Sequence, residues 1–239
     1  MVTGASRGVG RAVAARFAAL GDDVVALGRD GAALEALGAG VRPIVCDVAE
    51  EDSVAAAFGQ AGAVDVLVNN AGLAESAPLA GTTLESWERH LAVNATGAFL
   101  CTRAVIGAMR ERGSGAIVTV ASTAGRAGTP YTAAYAASKH AAVGLMRVAA
   151  AELGGTGATA NAVCPTFVDT EMTRAAIERI AGHTDRTLEE SAAALAGASP
   201  LGRLLDPDEV AAAVEWLASP AAVSISGQTL ILDGGGLQP

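Results

Sequence analysis

The chain has 239 residues, of which 51% are hydrophobic, 17% charged and only 3% aromatic. That apolar content excludes a disordered chain, and the length suffices to bury a core packed mostly by Ala, Val and Leu. A formal net charge of −9, with no run of Lys or Arg, argues against nucleic acid or an anionic membrane surface as a partner.

Short apolar runs alternate with helical patterns from end to end. Met1–Gly10 has no basic start, apolar middle or cleavage site and does not read as a signal peptide. No uninterrupted apolar stretch reaches the ~18–20 residues that span a bilayer. Only Met1 and Val2 precede the first glycine-rich turn, so the first strand is either very short or cut off, and a shortened amino terminus is expected. Val9, Val13, Phe17 and Leu20 then recur at helical spacing. Val24–Leu27 and Val41–Cys46 read as buried strands, followed by a helix through Val54 and Phe58 and a strand Val64–Val68. Leu84, Trp87 and Leu91 mark another helix, and Val93–Met109 is helical up to the strand Ala116–Ala121. Tyr135 to Leu153 is a long helical stretch without proline, and Thr159–Cys164 is a strand. Glu171–Ser199 reads as one or two surface helices forming a lid at about residues 171–200. Asp206-Pro207-Asp208-Glu209 supplies a cap, a first-turn proline and acids ahead of the helix Val210–Leu217, and Thr229–Leu232 is the last strand. This order implies an α/β protein, one domain over residues 1–239, on a single parallel, doubly wound sheet with helices on both faces.

Cys46, Cys101 and Cys164 lie far apart in apolar segments, which suits core thiols in a reducing cytoplasm. His90, His140 and His183 form no ligand spacing, so no metal is expected. Trp87 and Trp216 read as core or subunit contacts, and Tyr131 as packing or pocket lining.

Thr3-Gly4-Ala5-Ser6-Arg7-Gly8-Val9-Gly10 opens the first helix. Gly4 allows a sharp turn, Gly8 lets backbone N–H groups approach a pyrophosphate, and Gly10 lets helix and strand pack closely, with the positive helix end facing the phosphates. At the end of the second strand, Asp30 stands where an acid would bind the ribose 2′-hydroxyl of NAD. Arg29 precedes it, however, and with Arg7 offers two cations to a 2′-phosphate, so NADP(H) is expected rather than NAD(H). Tyr135 and Lys139 are four apart on one helical face. A phenol with a pKa near 10 needs its anion stabilised to exchange protons at neutral pH, and an ammonium about 4 Å away would do so.

Together with Asp47-Val48, Asn69-Asn70-Ala71-Gly72, Asn94, Ser122, and Asn161-Ala-Val-Cys-Pro165 with Thr170, these motifs make the chain strongly resemble the classical short-chain dehydrogenase/reductase family over nearly its whole length. The resemblance implies a Rossmann-type sheet of about seven strands. It implies that Tyr135 is the general acid in reduction and the base in oxidation, and that Lys139 lowers the Tyr pKa and holds the nicotinamide ribose. Ser122 would polarise the substrate carbonyl, and Asn94 would hold a water linking Lys139 to solvent. Asp47 and Val48 would contact adenine, Asn70, Ala71 and Gly72 would lie along the cofactor, and Pro165, Val168 and Thr170 would lie at the nicotinamide. Thr166 departs from the family's usual Gly, and Ala158-Thr159-Ala160 from its usual basic lead-in. Within the family the motifs look most like reductases of 3-oxoacyl thioesters, including polyketide ketoreductases. An NAD-dependent hydroxyacyl or alcohol dehydrogenase and a non-catalytic dinucleotide sensor are the alternatives. A small carbonyl or alcohol substrate, a homotetramer or homodimer, and a cytoplasmic location complete the expectation.

Overall fold

The structure, a computed structural model, describes residues 1–238. Seven strands form one parallel sheet: β1 (Val2–Thr3), β2 (Val24–Gly28), β3 (Val41–Val45), β4 (Val66–Asn69), β5 (Ala116–Val120), β6 (Thr159–Pro165) and β7 (Thr229–Leu232). Their order is β3-β2-β1-β4-β5-β6-β7, so the chain reverses its direction of travel between β1 and β4. Crevices at such reversals, beyond the carboxyl ends of the strands, are where α/β sheets bind ligands. The middle strand is indeed two residues long, yet it pairs with both neighbours, Val2 opposite Ala26 on one side and Val68 on the other.

Because side chains alternate along a strand, each strand feeds two cores. Leu27, Leu67 and Ile117 point into one, which is closed by Met109, Met146 and Leu153. Ala26, Val68, Val118 and Val163 point into the other, closed by Val13, Val210 and Val214. Helices α3 (Glu51–Ala61), α5 (Gly97–Arg112) and α6 (Ala133–Glu152) cover the first face, and α1 (Gly8–Ala19), α2 (Gly31–Glu35) and α9 (Pro207–Ala218) the second. The three cysteines are buried in the core, as their apolar surroundings predict. Trp87 and Trp216 are not: both are partly exposed, at 36% and 42%.

Three local results go beyond the sequence pattern. The helical stretch from Leu84 to Arg112 is continuous, with α4 (Leu84–His90) and α5 joined by a π turn over Leu91–Thr96. By length and composition that helix could cross a membrane, but Leu100, Cys101, Val105 and Met109 are core residues, so we read it as a core helix. The segment after β6 folds into two helices, α7 (Glu171–His183) and α8 (Leu188–Ala196). Asp30 caps the short α2, its carboxylate accepting the Ala33 amide at 3.0 Å.

Helix α9 closes the second core and carries a complete capping box, Asp206 with Glu209, reinforced by Pro207 at its first turn. Asp206→Ala is expected to cost about 1 kcal/mol, a fall of roughly 2–4 °C in Tm, read by thermal unfolding.

Candidate active site

The site is assembled where β1 and β4 diverge. Thr3 ends β1, and its hydroxyl donates to Val68 O (3.3 Å) while accepting the amides of Asn70 and Ala71, both at 2.9 Å. The Asn70 side-chain amide donates in return to Thr3 O (2.9 Å) and Gly4 O (3.2 Å). The two loops touch so closely that a Cβ on Gly4 would lie 2.7 Å from Ala71 Cα, and one on Gly10 would overlap Gly4 O and the Asn70 amide. Gly4 and Gly8 also adopt φ of 65° and 55°, the left-handed region that favours glycine.

This turn delivers α1 with an open N-terminus. Its cap residue Arg7 makes no side-chain capping bond, and its first turn contains no acid. Free N–H groups at the positive end of a twelve-residue helix form an anion cradle. A cavity of about 320 Å³ opens beside it, lined by Gly8, Arg11, Thr170, Glu171 and Arg174 among others. Thr170 caps α7, and its methyl would lie 3.1 Å from a Cβ on Gly8.

Across β2, Ser6 packs over Gly28, where any side chain would collide with its hydroxyl. Arg29 is three-quarters exposed and its guanidinium is 3.9 Å from the Asp47 carboxylate. Asp47 is further fixed by the Ala49 amide and the Ser53 hydroxyl, both at 3.0 Å. Val48 is buried beneath Gly97. Arg7 is exposed. The α2 cap engages only one oxygen of the Asp30 carboxylate, and the residue is exposed.

On the other side of the reversal, Asn94, Ser122, Tyr135 and Lys139 converge. Asn94 lies in the π turn and is buried. Its Oδ1 accepts the Leu73 amide (2.9 Å), and its Nδ2 donates to Leu73 O (3.0 Å) and Ser138 Oγ (2.9 Å). Ser138 in turn donates to Tyr135 O at 2.8 Å. Ser138 was not expected in the site; nothing in the sequence marked it apart from its place beside Lys139. Lys139 is buried and donates to Val120 O at 2.8 Å, with Gly72 directly above: a Cβ there would sit 3.2 Å from Asn94 Oδ1 and 3.5 Å from Nζ. Ser122 follows β5 and caps a 3₁₀ turn through the Ala124 amide at 3.1 Å. Pro165 ends β6 and is buried, while Val168 is buried and bridged to Leu205.

Lys139 Nζ lies over the Tyr135 ring, 5.8 Å from its centre. Burial pushes the phenol above its ordinary value, with a hydrogen bond to Ser122 acting the other way. Burial also lowers the Lys139 ammonium to about 8, opposed by the nearby Cys164. Desolvation is the largest influence on both groups. Tyr131, at φ 67° and 64% exposed, stands near the crevice as a strained aromatic, not as packing.

Comparison with known proteins identifies the family. The sequence profile of the family described as enoyl-(acyl carrier protein) reductase matches residues 4–236. A D-threitol dehydrogenase of Mycolicibacterium smegmatis is 40% identical, the match covering 98% of this chain and 91% of that protein. The granaticin polyketide synthase putative ketoacyl reductase 1 of Streptomyces violaceoruber is also 40% identical, with the same coverage. Among solved structures, actinorhodin polyketide ketoreductase with NADPH superposes with a TM-score of 0.91 at 37% identity, over 98% of this chain and 95% of that one. The chain therefore belongs to the short-chain dehydrogenase/reductase family, oxidoreductases that use a nicotinamide dinucleotide and act on hydroxyl or carbonyl groups.

Gly10→Ala is expected to destroy the contact between the glycine turn and Asn70. Dinucleotide binding, followed by fluorescence titration, should fall at least ~10-fold, with a stability loss of about 1–3 kcal/mol.

Proposed function

We propose that the protein is an NADPH-dependent ketoreductase that converts a ketone to a secondary alcohol, reversibly, on a 3-oxoacyl thioester or a similar carbonyl compound. The observation that carries this reading is the convergence of Ser122, Tyr135 and Lys139 beside Gly72, at the strand ends next to the anion cradle. The residues fit a dinucleotide: Gly4, Ser6, Arg7, Gly8, Val9 and Gly10 would hold its pyrophosphate, and Asp47 and Val48 its adenine. Asn70, Ala71 and Gly72 would follow its length, with Pro165, Val168 and Thr170 at the nicotinamide. When bound, the reduced nicotinamide supplies a hydride to the carbonyl carbon.

The chain's own part is proton management. Tyr135 Oη would give its proton to the carbonyl oxygen while the carbonyl carbon takes a hydride, so the ketone gains two electrons and two protons in sum. The phenol, protonated at neutral pH at its ordinary value and pushed further up by burial, is in the form that donates to a ketone. Ser122 holds the carbonyl oxygen beside that phenol, which suits C=O rather than C=C. Lys139, charged below about pH 8, stabilises the phenolate left behind and passes it a proton, which Lys139 regains from solvent through a water held by Asn94. Arg29, three-quarters exposed at the end of β2, and the exposed Arg7 in the glycine turn would receive the 2′-phosphate.

The substrate class draws on the polyketide and 3-oxoacyl reductases among the relatives. Helices α7 and α8, carrying the exposed Met172 and Leu188, would close over the ketone as the lid within a single domain. Exposed Phe99 and Val148 suit a homotetramer or homodimer, and the reading places the protein in the cytoplasm.

Tyr135→Phe is expected to lower kcat for ketone reduction by about 10²–10⁴-fold while leaving NADPH affinity unchanged, measured with a panel of acetoacetyl thioesters, diketones and aryl ketones. Retained turnover would contradict the mechanism, and no turnover of any thioester would remove that substrate class. Arg29→Asp should cut the preference for NADPH over NADH by roughly 10–100-fold in kcat/KM; equal use of both cofactors by the parent enzyme would contradict the NADP(H) reading.

A further inference from the structure

Beyond β4 the chain runs through residues 73–78 along the edge of the crevice, and every polar tie of this loop is made by a few named groups. Asn94 holds both backbone groups of Leu73. The Glu75 carboxylate takes the Ser86 hydroxyl at 3.1 Å and pairs with Arg89. The Ala77 amide donates to Tyr131 O at 2.9 Å. Between these, the Glu75 amide donates to His90 Nε2 at 3.0 Å. A cavity of about 200 Å³ lies between the loop, the start of α4 and Tyr131–Ala134.

His90 is fully buried and its ring meets the Tyr135 ring edge to face, centroids 6.4 Å apart at 75°. Its two nitrogens have opposite duties. Nδ1 donates to Ser86 O at 2.7 Å, which leaves Nε2 as the acceptor for Glu75. Only the neutral ring with its hydrogen on Nδ1 satisfies both. A proton on Nε2 would face the Glu75 N–H and break that tie.

We propose that His90 is a positioning residue for this reaction: in its neutral form it fixes loop 73–78 and the flank of Tyr135, and its protonation releases the loop. The proposal rests on Tyr135 being the proton donor. The ionisable groups facing the ring are few. On the loop, Glu75 is pushed up by burial but held below the usual carboxylate range by Arg89 and Ser86, so it stays charged. On the same helix, Arg89 neutralises that charge, and from α6 the phenol of Tyr135 is uncharged at neutral pH. Lys139 lies over the far side of the Tyr135 ring, and among these groups only His90 accepts from the loop backbone, which it can do only while uncharged.

The effect has a recognisable sign. In reduction the phenol is already protonated, so its own titration produces no loss toward acid. A released loop would: kcat/KM for the ketone should fall as pH drops through the His90 titration, mostly by a roughly 3- to 10-fold rise in KM. NADPH affinity should not change.

With three histidines in the chain, selective ¹⁵N and ¹³C labelling resolves each ring by NMR in the unmodified protein. The expected result is His90 in the Nδ1–H form, with a slowly exchanging Glu75 amide whose protection is lost at the same pH at which the ring charges and KM rises. His90→Gln keeps a hydrogen-bonding side chain without a titrating ring and should flatten the acid limb. An Nε2–H ring, an unprotected Glu75 amide when the ring is neutral, or an acid limb unchanged in His90→Gln overturns the proposal. These outcomes are separate from the fate of the mechanism, since full activity in Tyr135→Phe would sink the reading of Tyr135 while the NMR results would still judge the His90 tie.

Discussion

The closest backbone approach in the site is the constraint from which the rest follows. A two-residue central strand offers little pairing of its own, so the glycine turn is fastened to β4 by the Thr3 hydroxyl and the Asn70 side chain. Those bonds are possible only because Gly4 and Gly10 carry no Cβ. The same contact sets the direction of α1 and leaves its first-turn amides facing the crevice. One local packing condition therefore joins the two halves of the sheet and creates the anion site.

The reacting end is governed by a different balance. Tyr135 and Lys139 sit in a poorly solvated position, and desolvation opposes charge on both. The structure offsets this with fixed dipoles: Val120 O receives the ammonium, and Asn94 with Ser138 ties the backbone of Tyr135 to loop and helix. The π turn has a clear use here, since it places Asn94 where a single side chain bonds Leu73 on one side and Ser138 on the other. Such a network holds the Tyr135 backbone in place, as the proposed proton donor requires.

Much of this was readable from residue order. Buried parallel strands announce themselves as Val- and Ile-rich runs, and the observed bounds differ from the expected ones by at most two residues; Thr229–Leu232 coincides. The glycine turn was legible because its geometry demands specific residues. What stayed hidden depended on tertiary contact. The π turn leaves no periodic signature, and Ser138 looks like any helical serine until Asn94 meets it. His90 was weighed only as a metal ligand, because nothing local says that a loop amide fifteen residues away will seek its ring. Spacing four apart likewise fixes a shared face, while the desolvation that acts on Tyr135 and Lys139 depends on what packs around them. The capping bond of Asp30 also depends on a helix of five residues, too short to show in the pattern.

The most direct test of the account is a crystal structure of the complex with NADPH and a non-reactive ketone analogue. The account predicts the Tyr135 Oη within about 2.6–3.2 Å of the carbonyl oxygen, Ser122 on the same oxygen, and the nicotinamide C4 facing the carbonyl carbon. A carbonyl bound out of reach of Tyr135, with another group donating to its oxygen, would contradict it.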